Sequence, residues 1–310
     1  MSFWITDTPM KAESMVTPTS KCRGKLLEDP RPPDMRSQPG YSDFVRNTII
    51  NYVAATQDDV AIRYLYEKAD MQAASQDHDY CEIPYTEYMV DRVNAVTAEE
   101  AAALEKATRG QTKSSLWHAA RKWRLTASNF GRITKCFGSR SRERLCCHLA
   151  NPPELRHKAI LHGTKYEAVA IQKFEEIKGI KVEPCGIFVR PDYSYLGASP
   201  DSIVDDASIL EVKCPYSGRD DKIEPGSKFS FLERNEAGLL TVKRNHNYYS
   251  QIQGQLFLSL RQMAYLMVYT FVDTAVIDVR FDSDFCNDSM IPSLTLFYQK
   301  YYRKHLASLL

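Results

Sequence analysis

The stretch from Leu196 to Pro215, LGASPDSIVDDASILEVKCP, restricts the fold more than any other part of the chain. Ser202-Ile203-Val204 reads as a strand, and Asp205-Asp206 is acidic turn material. Ser208 to Lys213 alternates, so with a side-chain period of two Glu211 and Lys213 share one face while Leu210 and Val212 point to the other. Closing the two strands through that turn makes a β-hairpin in which Asp201, at the start of the first strand, comes level with Glu211, near the end of the second. Two carboxylates then meet beside an ammonium.

Carboxylates held this close repel one another unless a hard divalent cation lies between them, and Mg²⁺ takes oxygen ligands in an octahedral shell while keeping several waters. The pair therefore reads as metal ligands. Lys213, two residues beyond Glu211, is placed to hold or help deprotonate a water polarised by such an ion, the nucleophile for attack on a phosphodiester. A bare D-x9-E-x-K spacing also describes solvated charges at a hairpin edge, so the rest of the chain has to decide between the two.

At 310 residues, with 44% apolar and 25% charged positions, the chain can build one sizeable core or two modest ones. No uninterrupted apolar run is long enough to span a membrane, and the N-terminus lacks the basic and apolar sections of a signal peptide. The expectation is a soluble intracellular protein with no membrane partner, nuclear or cytoplasmic. Eight cysteines show no C-x-x-C pair, which suggests neither a zinc site nor a disulfide framework. Formal net charge is only +1, so contact with a polyanion has to come from a local patch. One is visible: Arg132, Lys135, Arg140, Arg142 and Arg144 follow closely, diluted only by Glu143, and predict contact with a DNA backbone.

Three parts are expected along the chain. Residues 1–40 are rich in Pro, Ser and Thr and read as a flexible arm. Residues 41–112 read as a helical region without a chemical motif, suited to a supporting or partner-binding role. Its helices are expected over Asp43 to Glu67, Thr86 to Thr97 and Ala98 to Arg109, the last with Thr97 as N-cap and Glu100 completing a capping box. In residues 113–310, Trp117 and Arg121 lie one helical turn apart, and Thr126 or Ser128 can cap the following helix, whose free N–H groups suit an anion. A helix over Ala159 to Lys178 stops at Gly179, and Glu167 sits beside its apolar stripe. A strand pair over Lys181 to Arg190, interrupted by Pro184 and Gly186, leads into the hairpin. Residues 216–244 form a polar excursion too long for a structureless loop. A helix over His246 to Leu260, strands over Ala264 to Phe271 and Ala275 to Phe281, and a helix over Ile291 to Leu309 complete the chain. This order predicts an α/β (α+β) fold with a mixed central sheet flanked by helices.

Taken together, WHAARKWRLTAS (117 to 128), HGTKYE (162 to 167), SPD (199 to 201), LEVKCP (210 to 215) and YYSQIQGQ (248 to 255) resemble the lambda-type exonuclease, YqaJ-like viral recombinase family of the PD-(D/E)xK nucleases, in order and in approximate spacing. The resemblance covers about Ser114 to Phe281. It implies a restriction-endonuclease-like core and a Mg²⁺-dependent deoxyribonuclease, with Mn²⁺ as a substitute ion. The activity implied is a 5′ to 3′ exonuclease on double-stranded DNA ends, of the recombination type. By the same resemblance Arg121 and Ser128 hold the 5′-phosphate, and Asp201, Glu211 and the Val212 carbonyl bind metal. Glu167 lies near the metal centre through water or a second ion, and Gln251 of a QxQ element orients the attacking water with Lys213. A homotrimeric ring and a single-strand annealing protein as partner are further implications. Two alternatives stay open: a structure- or site-selective endonuclease with the same centre, and a non-catalytic DNA-end binding module. The second would show a missing acid or lysine, whereas Asp201, Glu211 and Lys213 are all present.

Overall fold

The computed structural model describes residues 40–56, 85–152 and 158–310. The chain divides into two compact units, Met1–Tyr80 and Cys81–Leu310. In the first, the described residues form helix α1 (Tyr41–Thr56). The remainder of the helical stretch expected up to Glu67, and the Pro-rich arm before Gly40, lie outside the described residues.

The second unit opens with α2 (Tyr85–Asn94) and α3 (Ala98–Ala107). The capping box is formed: Thr97 Oγ1 accepts the Glu100 N–H at 3.2 Å and Glu100 Oε2 accepts the Thr97 N–H at 2.8 Å. These helices pack into the unit that carries the sheet. Arg303, near the C-terminus, pairs with Glu87 at 2.9 Å and Asp91 at 3.0 Å, and Val90 is buried in the core.

Five strands form the main sheet, in the order β2 (Glu183–Pro184), β4 (Ser202–Ile203), β5 (Ser208–Lys213), β8 (Met263–Tyr269), β9 (Thr274–Arg280). It is mixed: β5 runs parallel to β8, and every other pairing is antiparallel. A parallel neighbour requires a long crossover. Residues 214–262 supply it, with a small hairpin of β6 (Leu232–Arg234) and β7 (Leu240–Val242) and then helix α8 (Asn247–Ser259). The polar excursion over 216–244 is thus anchored, since Ile223, Phe229, Phe231, Leu232 and Val242 join the core.

The central strand β5 is buried on both faces. Ile209 packs toward α8 with Ile252 and Leu256, while Leu210 and Val212 pack with Ala170 and Phe174 of helix α7 (Lys158–Lys178). The period of two read from the sequence therefore separates two hydrophobic layers, with Glu211 on the side of α8. Gly179, at φ +68, follows α7 as expected.

A second group of helices flanks this sandwich: α4 (Ser115–Arg121), α5 (Ala127–Thr134) and α6 (Ser139–Ala150). A short parallel pair, β1 (Leu125–Thr126) with β3 (Leu196–Gly197), ties α5 to the segment entering the hairpin. Helices α5 and α8 come unusually close. A Cβ on Gly131 would lie 2.7 Å from Asn247 Cα, and one on Gly254 would lie 2.4 Å from the Phe130 ring. A nearly continuous helical stretch closes the unit, with α9 (Ile291–Phe297) and α10 (Arg303–Ala307) joined by π turns and with Tyr298 and Tyr302 buried.

One expected element is much reduced. Over Lys181 to Arg190 the structure has only β2 and a single bridge between Phe188 and Ala198. Pro184 offers no N–H to a neighbouring strand. Beyond it the Gly186 and Ile187 N–H groups donate to Glu105 Oε1 at 3.0 Å and Thr108 Oγ1 at 2.9 Å instead of to a ladder. Among the described residues no helix is long and apolar enough to cross a membrane.

Candidate active site

The hairpin register is the one the spacing predicts. Ser202 pairs with Leu210 and Ile203 with Ile209, and the Asp201 N–H donates to the Leu210 carbonyl at 3.1 Å, so Asp201 lies level with Glu211. Asp201 Oδ2 accepts the Val212 N–H at 2.6 Å, which fixes that carboxylate against β5. Lys213 forms an ion pair with Glu211, with side chains only 18% and 3% exposed, and its Nζ lies 4.8 Å from the centre of the Tyr248 ring on α8.

Helix α8 contributes more than was expected of it. Gln251 donates to Glu211 Oε1 at 2.5 Å, and Gln255 donates to Glu211 Oε2 at 2.6 Å. Gln253, between them, faces elsewhere, donating to the Arg280 carbonyl at 2.8 Å. Residues four apart share a helix face, whereas residues two apart do not. The i, i+4 spacing within QIQGQ was thus the available signal for Gln255, which the sequence reading passed over. His246 caps α8, its Nδ1 accepting the Tyr248 N–H at 3.1 Å.

Glu167, half-buried on α7, belongs to the same electrostatic neighbourhood. Burial raises its pKa, and the Glu211 charge adds to the rise. Asp201 is pushed well above the ordinary carboxylate range, first by burial and then by Glu211. Burial lowers the Lys213 pKa, but the Glu211 and Asp201 charges outweigh it and the net direction is upward. Negative charge is concentrated here beyond what one ammonium offsets, and the donors are hard oxygens, so the site fits a divalent cation of the Mg²⁺ type. Among the described residues no three His, Cys, Asp or Glu side chains converge into a ready-made cluster. A site would therefore draw on Asp201, Glu211 and the Val212 carbonyl, with waters completing the shell.

Toward α4 the site continues through Ser199, two residues before Asp201. Its Oγ accepts the Trp117 Nε1–H at 3.0 Å and lies 3.5 Å from an Arg121 guanidinium nitrogen, while Arg121 stacks 4.1 Å from the centre of the Trp117 ring. Burial lowers the Arg121 pKa to about 10, with no carboxylate among the described residues paired to it. A half-buried guanidinium lacking a counter-ion has the charge and the planar donors to take an anion. It lines a cavity of about 610 Å³ whose other walls include Lys122, Arg124, Asn129, Arg132 and His148. Arg124 is tied to backbone, donating to the Ser194, Ala120 and Asn94 carbonyls.

The remaining expected contacts divide. Ser128 is exposed on α5 with its Oγ 3.4 Å from Thr126 Oγ1, and the cavity wall there is Thr126 and Asn129 instead. Arg132 lines this cavity and an adjoining one of about 700 Å³, where it meets Lys135 and Arg144. Lys135 also bonds to the Asn245 carbonyl and, at 2.8 Å, to Asn247 Oδ1. Arg140 is exposed in the first turn of α6. Arg142 turns inward, donating to the Cys136 carbonyl at 3.1 Å and to Tyr301 Oη at 3.1 Å.

A mixed sheet flanked by helices, with an acid ahead of one strand and Glu-x-Lys on the next, defines a restriction-endonuclease-like α/β fold. Residues 116–262 match the family model of the YqaJ-like viral recombinase domain. It is similar to the alkaline nuclease of Orgyia pseudotsugata multicapsid polyhedrosis virus, 28% identical over 213 residues, which covers 62% of this chain and 48% of that protein. The alkaline nuclease of Autographa californica nuclear polyhedrosis virus is 28% identical over 208 residues, 60% of this chain and 48% of that protein. The matched stretch thus spans about half the length of these curated relatives. Among solved structures, an alkaline exonuclease (LHK-Exo) from Laribacter hongkongensis has a TM-score of 0.50 at 21% identity, covering 63% of this chain and 96% of that one. LHK-Exo in complex with dAMP has a TM-score of 0.51 at the same identity and coverage. At that identity the likeness bears on the fold.

Proposed function

We propose that this chain is a Mg²⁺-dependent deoxyribonuclease that degrades double-stranded DNA from an end in the 5′ to 3′ direction. Similarity to the two viral alkaline nucleases supports hydrolysis of nucleic acid. One observation carries the finer reading. Ser199 links the half-buried Arg121, which has no carboxylate partner among the described residues, to the segment that places Asp201 beside Glu211 and Lys213. An anion site and a carboxylate centre are thereby joined.

On this reading Asp201, Glu211 and the Val212 carbonyl hold Mg²⁺ or Mn²⁺, and Glu167 supports a second ion. A divalent cation supplies neutralising charge for the phosphate and lowers the pKa of a water nucleophile. Lys213, its pKa raised beside Glu211, keeps its proton near neutrality and so orients water and offsets phosphate charge instead of abstracting a proton. Gln251 and Gln255 fix the Glu211 carboxylate from one helix face, and the free amide oxygen of Gln251 can accept from water. Arg121 takes the terminal phosphate, with Arg132 along the same wall. Ser128 belongs to this anchor in the family resemblance and stands at its edge. A ring of three subunits and a single-strand annealing partner extend the same reading.

The test compares 5′-phosphorylated linear, 5′-hydroxyl linear and closed circular duplex DNA, each with Mg²⁺ and with chelator. The expected result is Mg²⁺-dependent loss of the linear substrates, fastest with the 5′-phosphate, and an untouched circle. Cutting of the circle would move the assignment to an endonuclease, and no degradation of any substrate would overturn it. A monomer in light scattering, with distributive digestion, would remove the ring.

A further inference from the structure

Phe137 is the most exposed large apolar side chain among the described residues, at 75%. It occupies the turn between α5 and α6, just before Gly138, whose φ of +81 permits the sharp reversal. The turn is held on both sides. The Cys136 N–H donates to the Ile133 carbonyl at 3.0 Å, the Cys136 carbonyl accepts from Arg142, and the Arg142 N–H donates to the Gly138 carbonyl at 3.1 Å. Arg142 is itself stacked on Tyr301 at 5.1 Å. A bulky ring is thus presented to water on a braced support, a position that gains nothing for folding.

The ring forms part of the wall of the 700 Å³ cavity, with Arg132, Lys135, Ser141, Arg144 and His148. No carboxylate appears in this wall or in that of the adjoining 610 Å³ cavity, and Arg132 and His148 belong to both. Asn247 lines it at the start of α8, next to Tyr248, over which Lys213 is stacked. The carboxylate-free walls therefore extend from Arg121, past Phe137, to Asn247, the neighbour in sequence of the Tyr248 that Lys213 stacks on.

We infer that Phe137 is a stacking platform for an unpaired nucleotide of the DNA substrate, whose flanking phosphates rest on Arg132 and Arg144. This rests on the nuclease reading and adds a substrate class to it, namely duplexes that carry a single-stranded tail. Bases inside a duplex already use both faces for stacking, so an aromatic ring beside a cationic track gains most from a base with an open face. Stacking of this kind tolerates any sequence, since every base has a π-face.

Fluorescence anisotropy in chelator, which prevents cleavage, compares a blunt duplex with the same duplex bearing an unpaired tail. F137A is expected to weaken binding of the tailed duplex on the order of tenfold and to leave the blunt one unchanged. F137W is expected to keep the affinity for the tail and to lose indole emission when the tail binds, relative to the wild-type signal. At this exposure neither substitution threatens folding. Equal affinity of F137A and wild type for the tail, a wild type that does not distinguish tailed from blunt, or an equal loss on both substrates would overturn the inference. Failure of the nuclease reading shows separately, as absence of Mg²⁺-dependent degradation by the wild type while the tail preference persists.

Discussion

Gln255 and Gln251, one turn apart on α8, donate to opposite oxygens of the same carboxylate: Gln251 to Glu211 Oε1 at 2.5 Å and Gln255 to Oε2 at 2.6 Å. Glu211 is therefore oriented by two neutral amides as well as by Lys213. Q255L keeps most of the volume and removes one donor. On the proposed reading the Mg²⁺ concentration for half-maximal cleavage should rise, or the rate fall, by about 10–100-fold, the usual scale for partners behind a metal ligand. A titration of rate against Mg²⁺ that superimposes on the wild type would show that Gln255 only fills space.

Lys213 and Glu211 make a buried pair, and removing the ammonium strands a charge. K213A should lose cleavage, keep DNA binding, and melt at lower temperature in chelator, the expected cost being about 3–5 kcal/mol for breaking such a pair. Mg²⁺ should return part of that stability by supplying positive charge. D201A should also abolish cleavage while sparing binding. Cleavage at the wild-type rate by either variant would remove the residue from the chemistry.

Stability should also depend on pH in a defined sense. Burial, then the Glu211 charge, raise the pKa of Asp201 and of Glu167. Once pH passes the unfolded carboxyl value of about 4, the folded chain retains protons that the unfolded chain has released. Stability from these groups is therefore full below that point and lost as pH climbs through the raised folded values. Lys213, also raised, contributes stability that is lost only far into the alkaline range. In chelator, the melting temperature of D201N should fall less steeply between acidic and neutral pH than that of the wild type, and Mg²⁺ should stabilise the wild type more as pH rises. Parallel melting curves for the two proteins across that range would contradict the assignment.

Arg121 is half-buried and stacked on Trp117, with no carboxylate paired to it among the described residues, so on the proposed reading its charge serves a phosphate. R121A should weaken binding to 5′-phosphorylated ends on the order of tenfold and reduce the slope of log affinity against log salt by about one. R121K should recover little, because a point charge cannot reproduce a planar two-pronged contact. Equal binding of phosphorylated and hydroxyl ends by wild type and R121A would show that the cavity serves another purpose.

Gly254 faces Phe130 across the contact of α8 with α5, with room for a hydrogen but not a methyl group. G254A should destabilise the protein by about 1–3 kcal/mol through overpacking, measured by urea unfolding. Because α8 also carries both glutamines, activity should fall more than the folded fraction does.

The hairpin, the capping box at Thr97 and the helix ending at Gly179 were readable because each depends on residues near in sequence: alternation, an S/T-x-x-E spacing, a glycine at positive φ. What escaped depends on residues far apart. The backbone over 186–187 looked like strand, yet its N–H groups go to Glu105 and Thr108, about eighty positions earlier. Arg142 looked like its cationic neighbours until Tyr301 supplied it with a partner. Gln255, inside an apolar helix, acquires meaning only when β5 brings Glu211 against it.

The glycine contacts that press α5 onto α8 have a mechanical meaning. If Arg132 on one helix steadies the nucleic-acid backbone and the other helix steadies the residues that cut, their interlock works like a calliper. The length between hold and incision becomes a dimension of the scaffold, indifferent to which bases happen to lie in the gap.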